Sequence, residues 1–188
     1  MDSYSIILAD PPWSYKDKCN SGQRGVEFKY PTMTIEDINN LPINKVAADD
    51  CALFLWATAP LMQEALCVMN SWGFEYKTVA FTWIKRNKVA DSLFWGMGNW
   101  TRSNPEFCLL GLKGKPRRIS ASVHSVIYSP IQGHSVKPAE TRDRIVNLLG
   151  DIPRVELFAR QPIDGWTSIG NDIDGRDIRE VLSDGMVN

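Results

Sequence analysis

Histidine and cysteine are both scarce in this chain of 188 residues. The histidines are His124 and His134. The cysteines, Cys19, Cys51, Cys67 and Cys108, stand far apart with no Cys-x-x-Cys spacing. That argues against a zinc site and offers no disulfide framework. No signal peptide is visible, and no apolar run reaches membrane-spanning length. A cytoplasmic protein with reduced thiols is expected (host-cell cytoplasm if a phage encodes it), with no membrane contact. Excess charge of one sign is lacking too: 21 Lys and Arg against 22 Asp and Glu leave a net charge of −1. Any contact with nucleic acid must then come from local patches. There is no internal repeat and no low-complexity linker. Hydrophobic content of 44% and charge of 23% are ordinary for a globular protein, and the length predicts one domain, 1–188.

What is present begins with Ile6-Ile7-Leu8-Ala9-Asp10-Pro11-Pro12-Trp13. The apolar run reads as a strand covered on both faces. The prolines stop the ladder, since neither has an N–H and each fixes its own φ. A carboxylate, a stiff turn with free carbonyls and an indole remain at the strand's carboxyl end, where open α/β sheets bind ligands. These groups suit the exocyclic amino group of a nucleobase. Asp10 accepts one amino hydrogen, the Pro11 carbonyl accepts the other, and Trp13 offers a stacking face worth about 1–3 kcal/mol. The plainer reading, a proline-rich turn closing a strand with Trp13 in the core, stands beside it for Asp-Pro-Pro alone.

Further strands are predicted at Cys51–Ala57, Phe74–Lys85 and Glu106–Gly111. A helix opens at Pro60 and stops at Gly73, and Thr34 caps another. Strand and helix in that rhythm give an α/β fold, a mainly parallel sheet with helices on both faces. Residues 14–34 and 86–104 read as long irregular segments, a length that marks function or mobility. The second interleaves Trp95 and Trp100 with Lys88 and Arg102. That mixture suits an unpaired or flipped nucleic acid, which needs stacking faces and phosphate partners together; tryptophans plugging the sheet end are the alternative. Lys113 to Arg118 is the densest basic cluster, read either as phosphate contact or as a solvated face. At His134-Ser-Val-Lys137-Pro138 a helix is expected to open with Ser135 as its cap. Lys137, with no obvious partner, would then make an anion site at the helix N-terminus.

The complete Asp-Pro-Pro-Trp resembles the signature of amino-group methyltransferases. In its Trp form it resembles the METTL-type (methyltransferase-like) adenine-N6 family, here a small stand-alone prokaryotic or phage-like form. The resemblance runs from Ile6 to about Gly175 and implies a Rossmann-like, S-adenosylmethionine-dependent fold in permuted (beta-class) motif order. By that likeness Asp10, Pro11, Pro12 and Trp13 are catalytic, Asp10 also facing the cofactor. Tyr30, in Tyr-Pro-Thr-Met, would line the base pocket, and Glu106 would support it alongside Trp95, Trp100 and Arg102 as substrate contacts. Lys137 of the Lys-Pro pair would meet the cofactor's carboxylate. Arg154-Val-Glu-Leu-Phe-Ala-Arg160 is similar to the family's Glu-Leu-Phe-Gly-Arg, which implies Phe158 and Arg160 in the cofactor turn. Ala159 replaces the glycine there, which is tolerable unless φ is positive. Gly170-Asn171-Asp172 resembles the stretch whose polar groups would hold the ribose hydroxyls.

Three activities follow. The first is adenine-N6 methylation of DNA, favoured because no zinc-finger or partner-binding region accompanies the domain. The second is the same reaction on RNA, and the third a non-catalytic nucleic-acid-binding subunit of a methyltransferase complex. The intact Asp10-Pro-Pro-Trp13 and the Lys137/Asn171 set argue against the third. With so little recognition surface, a second copy of the chain or a partner subunit is expected to help.

Overall fold

The computed structural model describes residues 3–14, 32–98, 100–133 and 135–184. Tyr30 and most of the first long polar segment lie outside the described residues. Among the described residues, seven strands form one sheet: β1 (Tyr4–Ala9), β2 (Ala47–Ala57), β3 (Glu75–Arg86), β4 (Glu106–Lys113), β5 (Val126–Pro130), β6 (Arg154–Leu157) and β7 (Thr167–Ile169). Their order is β5-β3-β4-β2-β1-β6-β7. All pairings are parallel except those of β4, which runs antiparallel to both β2 and β3. Six strands therefore point one way and β4 the other.

The apolar runs at β1 and β2 serve two layers at once. Ile7 and Ala9 pack into one core, Ile6 and Leu8 into the other. On β2, Leu53 and Leu55 face the first core while Phe54 and Trp56 face the second. This is the period of two expected of a strand buried on both faces. Over the first core lie α1 (Ile35–Asn39), α2 (Met62–Ser71) and α5 (Ile178–Asp184), while α3 (Glu140–Leu149) covers the second with Ile145 and Leu149. Glu156, between two inward residues of β6, faces α3 and takes a bidentate pair from Arg142 at 2.6 and 2.7 Å. A four-residue α4 (Asn171–Asp174) follows β7.

Thr34 caps α1 as expected, its hydroxyl accepting from the Asp37 amide at 3.0 Å, and Gly73, at φ +83°, ends α2. Pro60 belongs to a 3-10 turn (Ala59–Leu61), so α2 itself opens at Met62. Two expectations need correction. Residues 114–134, expected from the sequence to be a loop, contain edge strand β5, whose Val126-Ile127-Tyr128 is too short an apolar run to stand out. The helix expected at 134–138 begins at Glu140 with Ala139 as its cap. Ser135 does not cap it and lies at φ +61°, and the preceding segment is irregular because Pro138 bars Lys137 from helical geometry.

Candidate active site

The strand directions bring the site together. The carboxyl ends of β1, β2, β3, β6 and β7 share one edge, and β4, being reversed, brings its first residue, Glu106, to that same edge. A cavity of about 570 Å³ opens there, lined by Asp10, Pro11, Pro12, Trp13, Trp56, Glu106, Lys137, Phe158, Ala159, Arg160, Asn171 and Asp172 among others.

Trp13 is buried, its indole N–H donating to the Trp56 carbonyl at 3.1 Å. It is thus a core residue and a cavity wall together, so the two readings of this motif were not exclusive. The Pro11 carbonyl accepts from the Trp13 amide at 2.8 Å and the Pro12 carbonyl from the Met33 amide at 3.1 Å. A carbonyl has two lone pairs, so Pro11 retains one for a ligand.

Four charged side chains are linked in a row from Asp10. Lys137 Nζ lies 2.8 Å from Asp10 Oδ2 and 3.3 Å from Glu106 Oε2, and Lys85 Nζ lies 2.5 Å from Glu106 Oε1. The Lys137 ammonium also stands 5.7 Å from the Trp56 ring centre. The expectation that Lys137 lacks a partner is therefore corrected: two carboxylates brought in from distant strands hold it. Burial raises the Asp10 carboxyl above the ordinary aspartate value; Lys137 opposes this and Glu106 adds to it. At Glu106 burial pushes upward as well, but the two ammoniums of Lys137 and Lys85 prevail and hold it low. Burial would lower Lys137, yet Asp10 and Glu106 keep it raised. Cys108 is fully buried, and its thiol is pushed well up, first by burial and then by the Asp10 charge.

The turn after β6 also lines the cavity, beside the end of β1. Phe158 sits at φ +62°, and it and Ser135 are the non-glycine residues with positive φ among the described residues. The left-handed position falls on Phe158, so Ala159 fits without the backbone penalty that a missing glycine suggested. Gly170 abuts this turn: a Cβ there would stand 2.2 Å from the Ala159 carbonyl oxygen and 2.7 Å from its nitrogen. Asn171 and Asp172 follow at the start of α4, Asn171 Oδ1 accepting from the Ile178 amide at 3.2 Å.

Trp95, Trp100 and Arg102 do not line the cavity. Trp100 is 99% exposed and Met97 93%. Arg102 spends its guanidinium on the loop itself, donating to the Gly96 and Trp95 carbonyls at 2.9 and 3.1 Å. Residues 113–118 begin at the carboxyl end of β4 and hence start from the opposite edge of the sheet, where the Lys115 amide donates to Asp50. Lys85, Trp56 and Asn104 were not singled out beforehand. A cross-strand search for opposite charges on β3 and β4 would have found Lys85 beside Glu106, once those strands were taken as antiparallel.

The model of the MT-A70 family matches residues 4–172. The chain is 35% identical to a type II methyltransferase of Mycoplasma sp, M.MunI, over 90% of this chain and 78% of that protein. It is 31% identical to the human N(6)-adenosine-methyltransferase catalytic subunit METTL3, over 93% of this chain but only 29% of the longer protein. A similar match, 29% identical, is to the Drosophila melanogaster N(6)-adenosine-methyltransferase MT-A70-like protein, of which this chain spans 28%.

Proposed function

The chain belongs to the MT-A70 family, and from that premise we propose that it is an adenine-N6 methyltransferase that uses S-adenosylmethionine and acts on DNA. The observation that carries the reading is the shared cavity. An acceptor pair, Asp10 and the Pro11 carbonyl, lines it together with the Phe158–Arg160 turn, Asn171 and Asp172.

Those residues fit the cofactor. Gly170 lets the segment carrying Asn171 and Asp172 pack directly on the turn, where any side chain would collide with backbone. Asn171 and Asp172 offer polar groups for ribose hydroxyls, and Phe158 and Arg160 flank them. Lys137 has three N–H donors, of which Asp10 and Glu106 take two, leaving one for the cofactor's carboxylate. Bound there, S-adenosylmethionine supplies an electrophilic methyl on a positively charged sulfur.

The amino nitrogen of adenine is a poor nucleophile because its lone pair is delocalised into the ring. Asp10 and Pro11 would each accept one of its hydrogens, which would favour rehybridisation and free the lone pair for an electrophilic methyl. That is electrostatic stabilisation joined to alignment. The nitrogen becomes acidic only once it carries the methyl, and Asp10, with its raised carboxyl, or water then takes one proton. A base stacked in a duplex does not reach such a cavity, so the target is flipped out or already unpaired. The exposed Trp95 and Trp100 supply stacking faces for the strand outside.

DNA is preferred over RNA because M.MunI is matched along most of its length and at the higher identity, whereas the N(6)-adenosine-methyltransferases are matched over less than a third of theirs. The test is transfer of labelled methyl from S-adenosylmethionine onto single-stranded DNA, duplex DNA and RNA in parallel. Incorporation into DNA is expected. Incorporation into RNA alone overturns the choice of substrate, and none on any of the three makes the chain a binding subunit.

A further inference from the structure

Lys85 does not line the cavity, yet it completes the charge set of the site. Each oxygen of Glu106 takes one lysine: Oε1 lies 2.5 Å from Lys85, Oε2 3.3 Å from Lys137. Lys137 leans toward Asp10, at 2.8 Å. Two carboxylates and two ammoniums in a row balance to zero charge in a largely buried setting, where an unpaired charge is costly.

The backbone of Lys85 is held as firmly as its side chain. Asn104, 7% exposed, accepts from the Lys85 amide at 3.0 Å and donates to the Lys85 carbonyl at 2.9 Å. The same Asn104 amide donates to Phe94 O at 2.5 Å, and the Phe94 amide donates to Lys85 O at 2.9 Å. A side-chain amide thus closes the base of the loop carrying Trp95 and Trp100 directly on the residue that holds Glu106.

We propose that Lys85 is a positioning residue: by occupying one oxygen of Glu106 it leaves Lys137 shared between Glu106 and Asp10, and so sets the place and charge of the acceptor at Asp10. It touches neither substrate nor cofactor. The claim rests on the methyltransferase reading only for the reaction that this acceptor serves. The charged and titratable groups facing Asp10 are Lys137, Glu106 and Arg160, and the buried Cys108 thiol feels its charge. Without Lys85, Asp10 and Glu106 compete for one ammonium, and the pair takes up its first proton at a higher pH.

The experiment follows the carboxyl carbons of Asp10 and Glu106 by carbon-13 NMR in protein free of cofactor, with assignment by D10N and E106Q. In K85M the upper midpoint of the pair should rise by about one pH unit, and K85R should return it. In an E106Q background K85M should leave the Asp10 midpoint where E106Q alone puts it, because the route from Lys85 to Asp10 is gone. The double variant leaves no buried charge stranded by loss of Lys85, so it carries the test even if K85M does not fold. On DNA, K85M should lower kcat about tenfold, as a displaced reacting group does, with KM nearly unchanged. A folded K85M with the wild-type midpoint, or an equal shift in the E106Q background, overturns the proposal. Should the wild-type protein methylate nothing, the functional reading fails while the titration still decides the role of Lys85.

Discussion

The ammonium of Lys137 lies 2.8 Å from the Asp10 carboxylate across 127 residues of chain. That contact joins the end of β1 to the segment before α3, so the group proposed to grip the base and the group proposed to hold the cofactor are in direct contact. A change at either is felt by the other.

The first prediction separates chemistry from folding at Asp10. Asp10→Ala should abolish methyl transfer, a loss of at least about 100-fold in kcat, while circular dichroism and the cooperative melt persist. Full activity in this variant would exclude Asp10 as the acceptor.

Asp10 and Glu106 have opposite signs in acid. The folded Asp10 carboxyl is raised above 3.8, so its ionisation weakens the fold and acidification gives that stability back. Glu106 is held below 4.5, so its contribution is complete above that value and fades as pH falls through its lowered pKa. Asp10→Asn should therefore lose stability more steeply than wild type as the pH is taken from neutral to below 4.5. Urea unfolding at several pH values reads this directly. A shallower slope would contradict the assigned direction at Asp10.

The catalytic counterpart uses the same pair. Glu106 helps to raise Asp10, and removing its charge also leaves Lys137 to Asp10 alone. The acid limb of kcat/KM should start above the ordinary aspartate range in the wild type and move to lower pH in Glu106→Gln. An acid limb that stays in place would remove Asp10 as the group it reports.

How far the sequence was readable follows from where each signal lives. Continuous apolar runs announced β1 and β2, because burial on both faces leaves no polar alternation to confuse them. Asp-Pro-Pro-Trp and Gly-Asn-Asp were legible because their chemistry is local: a stiff turn, an acid, an amide at a strand's end. The partner of Lys137 was not legible, since it depends on the reversed direction of β4, and strand direction is a property of pairing. Trp95 and Trp100 illustrate the same limit from the other side. Composition placed aromatic and basic residues together, but Arg102 turned out to serve the loop's own carbonyls.

Gly170 tests the cofactor wall by sterics alone. Its φ is extended, so the constraint is contact rather than backbone strain. Alanine would set a Cβ 2.2 Å from the Ala159 oxygen and 3.0 Å from the Phe158 carbonyl carbon, and neither is the end of a flexible side chain. Gly170→Ala should cost about 1–3 kcal/mol of stability through overpacking. Calorimetry should show a clear loss of S-adenosylmethionine affinity, and unchanged binding would mean the turn is not part of that site.

The exposed tryptophan offers the cleanest separation of binding from folding. Trp100 is 99% exposed, so truncating it removes almost no burial, and Trp100→Ala should alter stability by less than about 0.5 kcal/mol. If its face stacks on a base outside the cavity, the same change should weaken DNA binding by about 1–3 kcal/mol, roughly 5- to 150-fold in Kd. The loss should appear in Kd and KM rather than in kcat, because the residue lies outside the cavity that holds Asp10. Fluorescence anisotropy with a labelled single strand measures the first quantity and methyl incorporation the second. Equal affinity in the variant would mean that the loop's aromatic face serves something other than nucleic acid. A fall in kcat at unchanged affinity would mean that the loop acts on the site through the Asn104 and Lys85 clasp instead of through the strand.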